Sequence, residues 1–93
     1  MADSMRKAVL EAAIQTVCED RPDAYGEPEN NFALIADLWR TYLDRTVMAD
    51  DVAMMMCLLK IARIKTGRSK LDSYIDLAGY AACAADTGGP ESV

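Results

Sequence analysis

A cluster of ionisable side chains lies in the segment CLLKIARIKTGRSKLDSYIDLAGYAA, residues 57–82. Five cations come first and two carboxylates follow, namely Lys60, Arg63, Lys65, Arg68 and Lys70, then Asp72 and Asp76. Clustered cations can bind phosphate oxygens, and paired carboxylates can bind a metal ion or ligand hydroxyl groups. The same side chains can also form ion pairs that fix the register of two helices. The cluster therefore predicts either a ligand pocket or a salt-bridged turn.

Hydrophobic periodicity predicts four helices and no strands, so the fold class is all-α. The predicted helices span about Ser4–Glu19, Glu29–Arg45, Ala49–Lys65 and Leu71–Ala85, with Ser4 and Thr46 as candidate N-caps. The third contains VAMMMCLLKIA, which is apolar on every face, so this helix should be central in a four-helix, bundle-like protomer. Because the other helices can hardly cover so much apolar surface, we also expect a homo-oligomer.

Length and composition restrict the class of protein. We expect a single all-α domain at residues 1–86 and a flexible tail at 87–93. Apolar residues make up 52% of the chain, but no apolar run approaches the roughly 18 residues that a membrane span needs. The N-terminal segment lacks the apolar block and the cleavage site of a signal peptide. We therefore expect a cytoplasmic protein that does not interact with membranes.

The chain offers few groups for catalysis. Histidine is absent, which excludes acid–base or nucleophilic catalysis by histidine and argues against a structural zinc site. Cys18, Cys57 and Cys83 are widely spaced in apolar helical contexts, so we interpret them as small buried hydrophobic residues. The net charge of −5 argues against a surface that coats DNA or RNA. One basic segment in an acidic chain instead indicates a local anion site or a solvated helix end.

The short turn at residues 66–70 favours antiparallel packing of the third and fourth helices. Pairing about that turn sets Lys60 opposite Asp76 and Arg63 opposite Asp72. We expect these faces to line a pocket that also receives an aromatic ring and the loop at residues 25–31. The residues predicted to bind a ligand there are Tyr25, Gly26, Asn30, Asn31, Lys60, Arg63, Lys65 and Tyr80. In the structural alternative, the same ion pairs only fix the helix register.

Four segments resemble a family of short phage proteins of unknown function. They are YGEPENNF at 25–32, IADLWRTYL at 35–43, DVAMMMCLLKIARIKTG at 51–67 and DSYIDLAGYAAC at 72–83. The resemblance covers roughly residues 10–85 and implies no particular activity. It does imply a location, the cytoplasm of the bacterial host cell.

A second resemblance concerns DLAGY at 76–80, which is similar to the end of the ExxD motif in the MazG-like all-α nucleotide pyrophosphohydrolases. It implies Mg²⁺ bound by carboxylates on two antiparallel helices, with Asp76 as the final aspartate and Asp72 nearby. KIAR stands where the partner helix of those enzymes carries ExxE, so Lys60 and Arg63 replace two metal ligands. Such a replacement keeps a site for phosphate but lacks the ion that activates water.

These observations leave three hypotheses for the function. The first is a phage-encoded protein that binds a nucleotide-derived small molecule without turnover and without a cofactor. By analogy with phage sponges, it would sequester a nucleotide signal of bacterial immunity and act in anti-defence. The second is a Mg²⁺-dependent, MazG-like nucleotide pyrophosphohydrolase, and the third is a structural or protein-interaction module. The missing ExxE pair and the absence of histidine favour a protein that is not an enzyme.

Overall fold

The computed structural model describes residues 4–20, 28–67 and 70–89, which contain helices and no strand. The helices are α1 at Met5–Ile14, α2 at Pro28–Leu43, α3 at Ala49–Lys65 and α4 at Leu71–Gly88. A π-helical segment at Gln15–Asp20 continues α1. The predicted all-α, four-helix class is confirmed. No helix of these described residues is both long enough and apolar enough to cross a membrane.

Side-chain oxygens fix where α1 and α3 begin. The backbone N–H of Lys7 donates to Ser4 Oγ at 3.2 Å, so Ser4 is the N-cap that the sequence predicts. At α3 the N-cap is Met48 and not Thr46, because Asp51 Oδ2 accepts a hydrogen bond from the Met48 N–H at 2.9 Å. Both contacts satisfy amide groups that would otherwise lack a partner within the helix.

The end of α4 lies beyond its predicted position. The helix continues past Ala85 to Gly88, and Gly89 closes it with a φ of 62°. A residue in this left-handed conformation ends a helix, and glycine adopts it without the steric cost of a Cβ atom. Part of the segment predicted as a tail is therefore helical, and residues 90–93 lie outside the described residues.

The core lies where α2, α3 and α4 meet and is built mainly from small side chains. Its buried members are Phe32, Ala36, Val47, Val52, Ala53, Cys83 and Ala84. Val52 and Ala53 are only 1% and 0% exposed, so α3 contributes directly to the centre of the core. The ring of Phe32 lies 6.3 Å from that of Tyr80, which joins α2 to α4.

The apolar surface of α3 is only partly covered within one chain. α3 and α4 form the most extensive helix pair, and α4 also packs against α1 and α2. Five large apolar side chains of α3 stay exposed, namely Met54, Met55, Leu58, Leu59 and Ile61. The prediction that further association covers this surface is consistent with the exposure and remains a prediction.

Candidate functional site

A polar cleft of about 390 Å³ opens where the turn joins α3 to α4. The residues that line it are Lys60, Arg63, Thr66, Lys70, Asp72, Ser73 and Asp76. Three of these carry a positive charge and two a negative charge, which leaves a local charge of +1 in a chain whose net charge is −5. The cleft is thus locally electropositive, and Thr66 and Ser73 add hydroxyl groups to it.

Lys60 and Asp76 form an ion pair across the two helices. Lys60 Nζ lies 3.0 Å from Asp76 Oδ2, and their side chains are 17% and 38% exposed. A second contact, three residues before Lys60 and one after Asp76, runs from the Cys57 thiol to the Leu77 carbonyl oxygen at 3.8 Å and agrees with an antiparallel pairing of the two helices. The predicted opposition of Lys60 and Asp76 is therefore confirmed. Because Lys60 is largely shielded from water, this pair differs from a fully exposed one.

Arg63 lies on the same cleft as Asp72, as the register predicts. The ion pairs among the described residues join other partners, so the Arg63 guanidinium is not neutralised by Asp72 within this part of the chain. Lys70 also lines the cleft without a described carboxylate partner. An arginine and a lysine without a carboxylate partner can each donate charge-assisted hydrogen bonds to an anion.

The N-terminal end of α4 also favours the binding of an anion in the cleft. Lys70 is the N-cap of α4, and Asp72 and Ser73 lie in its first turn. The Ser73 N–H donates to the Lys70 carbonyl oxygen at 3.0 Å, whereas the first amide groups of a helix have no partner within the helix. The N-terminal end of a helix also carries a partial positive charge. An anion in the cleft would lie beside this end.

Two predicted ligand residues lie elsewhere. Tyr80 does not line the cleft, because its ring turns towards Phe32 in a smaller pocket one helical turn further along α4. Asp76 borders both cavities, so the two sites are neighbours and not one common pocket. Lys65 is exposed at the end of α3 and also lies outside the cleft.

The predicted contribution of the loop at residues 25–31 falls largely outside the described residues. Tyr25 and Gly26 belong to the range that the structure does not describe, and so does the side chain of Asn30. Asn31 lies in α2 with an exposed side chain. The roles of these residues in binding stay predictions.

Asp72 and Asp76 do not fit a Mg²⁺ site. Among the residues that the structure describes, no group of three or more His, Cys, Asp or Glu side chains is placed to bind a metal ion. Lys60, Arg63 and Lys70 line the same cleft as the two carboxylates, and their charges oppose a divalent cation. The donor set suits an anion better than Mg²⁺.

Sequence reasoning did not assign Thr66, Lys70 and Ser73 to the site. The register that sets Lys60 opposite Asp76 also sets Ser73 opposite Arg63, so it contained the signal for the serine. Ser73 is only 8% exposed, which makes it the buried polar residue of the described chain. A hydroxyl group so placed beside an arginine can donate to the same ligand oxygen.

The cysteines differ in environment. Cys57 and Cys83 are buried as predicted, but Cys18 is exposed, so that prediction is wrong for Cys18. Cys18 lies on the π-helical segment, where the sequence predicted a regular helix. Burial raises the pKa of the Cys57 thiol, which keeps this group protonated and poorly nucleophilic.

Comparison with known proteins gives two kinds of match. A family described as a domain of unknown function, DUF6378, matches residues 8–88. The Gene 55 protein of Mycobacterium phage D29 is 42% identical over 79 residues, which are 85% of this chain and 52% of that protein. The Gene 55 protein of Mycobacterium phage L5 is 37% identical over 75 residues, which are 80% and 48% of the two chains.

The chain therefore spans about half the length of the curated relatives it matches. No solved structure matches it. The resemblance to phage proteins of unknown function is confirmed, whereas the comparisons do not show the similarity to MazG-like enzymes.

Proposed function

This chain belongs to the DUF6378 family, and we propose that it binds a phosphate-bearing nucleotide in the cleft between α3 and α4 without hydrolysing it. The observation that carries the proposal is the composition of the cleft. Arg63 and Lys70 line it without a carboxylate partner among the described residues, beside the N-terminal end of α4. Cations with free donors at a helix N-terminus are typical of phosphate-binding sites.

The cleft residues have distinct roles in this proposal. Arg63 donates two parallel hydrogen bonds to one phosphate group, and Lys70 contributes a single compact charge. Ser73 donates its hydroxyl group to a phosphate oxygen. Asp72 accepts hydrogen bonds from the sugar hydroxyl groups, while the Lys60–Asp76 pair holds the two helices in register. Each role follows from the donors and acceptors that these side chains carry.

Binding without turnover follows from the same residues. Hydrolysis of a nucleotide needs a water molecule activated by a metal ion or a general base. The carboxylates of the cleft stand among three cations, which disfavour Mg²⁺, and Asp76 is already paired with Lys60. In the host cytoplasm such a binder would sequester a nucleotide signal of bacterial immunity, a role proposed by analogy of size and site chemistry. The similarity to phage proteins supports only the phage context of this role.

A thermal-shift screen against mono-, di- and cyclic nucleotides, with and without Mg²⁺, tests the proposal. A ligand at one hundred times its dissociation constant stabilises the fold by about 2.7 kcal/mol. Calorimetry on Arg63→Ala should then show a dissociation constant raised by roughly 10- to 150-fold, because a charge-assisted hydrogen bond contributes about 1.5–3 kcal/mol. Lys65→Ala is the matched control, since Lys65 is a cation of the same helix that lies outside the cleft.

Three other results would contradict the proposal. Equal affinity in wild type and Arg63→Ala would remove the cleft as the binding site. Release of pyrophosphate that requires Mg²⁺ and disappears in Asp76→Asn would establish the hydrolase alternative. If no nucleotide stabilises the fold, the remaining hypothesis is a protein-interaction module, which is favoured by the large apolar side chains exposed on α2 and α3.

A further inference from the structure

The outer face of α4 carries a stripe of six residues at alternating three- and four-residue steps. They are Leu71, Tyr74, Ala78, Ala81, Ala85 and Gly88, which we call the α4 seam. This spacing is the heptad pattern of a helix that packs along another helix. Leu71 and Tyr74 are 42% and 45% exposed, and Ala81, Ala85 and Gly88 are exposed too. The seam therefore has no full partner among the described residues.

Two apolar grooves meet along this seam. One groove, of about 860 Å³, lies between α1 and α4, and Met5 and Leu10 form part of its α1 wall. The other, of about 320 Å³, lies between α4 and the start of α3, where Met54 forms part of the wall. Ala81 lines both grooves, so they join into one continuous apolar surface across three helices. A surface of this kind marks a site of association.

The sizes of the seam residues select the occupant. In an antiparallel pair of α4 helices related by a two-fold axis, residues whose numbers sum to 159 lie opposite one another. Leu71 then faces Gly88 of the second copy, and Tyr74 faces Ala85 of the second copy. Ala78 faces Ala81 at the axis, where two small residues permit close approach of the backbones. Each large side chain thus meets a small one, whereas a parallel pair would set large against large at one end.

The charges at the two ends agree with the antiparallel arrangement. Lys70 borders the groove at the start of the seam. Asp50 lies at the other end, where its Oδ2 is 3.3 Å from the place that a Cβ atom on Gly88 would occupy. Two antiparallel copies bring Lys70 of one chain to Asp50 of the other, twice. A parallel pair would instead bring like charges together at each end.

We propose that the α4 seam is the interface of a homodimer, in which α4 packs antiparallel against α4 of a second copy of this chain. The interface is isologous, so every contact occurs twice. It lies on another face of α4 from the Lys60–Asp76 pair. Lys70 borders both this groove and the cleft, so the size-swapped variants, which leave Lys70 unchanged, test the interface independently of nucleotide binding.

Sedimentation equilibrium on size-swapped variants tests the interface. Wild type should sediment at twice the 10.2 kDa mass of one chain. Ala85→Tyr sets two tyrosines against each other in both copies of that layer, and it should raise the dimer dissociation constant on the order of 100-fold. The double variant Tyr74→Ala, Ala85→Tyr reverses the layer and should restore association. Ala33→Tyr, at an exposed alanine of α2, is the matched control and should leave it unchanged.

Circular dichroism on each variant verifies that the helices are retained. A wild type that sediments as a monomer at roughly 100 μM, where a dimer with a dissociation constant of about 1 μM would be mostly associated, would overturn the proposal. An assembly that survives Ala85→Tyr, or one that the double variant fails to restore while its helices remain intact, would also overturn it. A charge exchange gives a second test, because Asp50→Lys and Lys70→Asp should each weaken the dimer and together restore it.

Discussion

The Lys60–Asp76 ion pair should stabilise the α3–α4 hairpin more than a surface pair does. Its Nζ–Oδ2 distance is 3.0 Å, and the two side chains are 17% and 38% exposed, so the pair lies between the exposed and the buried cases. Exposed pairs contribute about 0.2–1 kcal/mol, whereas removing one partner of a fully buried pair costs about 3–5 kcal/mol. We expect a coupling energy of about 1–1.5 kcal/mol from a double-mutant cycle with Lys60→Met and Asp76→Asn.

The two single variants should differ. Asp76→Asn leaves the shielded Lys60 ammonium without a counter-charge and should lower the free energy of unfolding by about 2 kcal/mol. Lys60→Met leaves the more exposed Asp76 carboxylate, which can be hydrated, so we expect a loss of about 1 kcal/mol. In a domain of this size, a loss of 1 kcal/mol lowers Tm by roughly 4–8 °C.

Urea unfolding followed by circular dichroism measures these energies. The matched control is the cycle of Arg63→Met and Asp72→Asn, two residues of the same cleft that form no described ion pair. That cycle should give a coupling energy below about 0.3 kcal/mol. An equally small value for Lys60 and Asp76 would refute the argument from burial. Adding salt should weaken the coupling only partly, because a shielded pair is screened less than an exposed one.

Three further predictions concern α4 and the cysteines. Gly79→Ala should lower the free energy of unfolding by about 1 kcal/mol, because its Cβ would lie 2.9 Å from Val17 Cγ1. In a Val17→Ala background the close contact is absent, so the same substitution should raise the free energy of unfolding by up to ~1 kcal/mol through the higher helix propensity of alanine. Urea unfolding measures both changes. A chromogenic disulfide reagent should react rapidly with the exposed Cys18 and slowly with the buried Cys57, and equal rates would contradict the burial. Burial raises the pKa of Cys57, so the unfolded chain loses the thiol proton first, and stability should fall as the pH rises above 9.0; this component should vanish in Cys57→Ala.

The sequence predicted best those features that depend on local pattern and on a short turn. Periodicity located the helices, and the turn at 66–70 fixed the register that brings Lys60 to Asp76. Ser4 was predictable as a cap because its side chain acts within three residues of itself.

The features that sequence reasoning missed depend on packing between distant segments. Tyr80 does not line the expected pocket, because its ring lies near the buried ring of Phe32. Nothing near Tyr80 in the sequence indicates this contact. Cys18 is exposed because the chain continues α1 as a π-helical segment, which shifts the faces of the residues within it. The cap at Met48 depends on the carboxylate of Asp51, which accepts a hydrogen bond from the Met48 N–H.

The small side chains of the core have a consequence for how stability varies with temperature. Val52 is the largest fully buried side chain among the described residues, and many larger apolar side chains are exposed in the folded chain. Unfolding therefore uncovers little additional apolar surface. The heat capacity change of unfolding should lie below the roughly 12–15 cal/mol/K per residue that globular domains show, and the dependence of stability on urea should be shallow for the same reason. A single chain would then have a broad, flat stability curve, and the curve would steepen at protein concentrations at which chains associate.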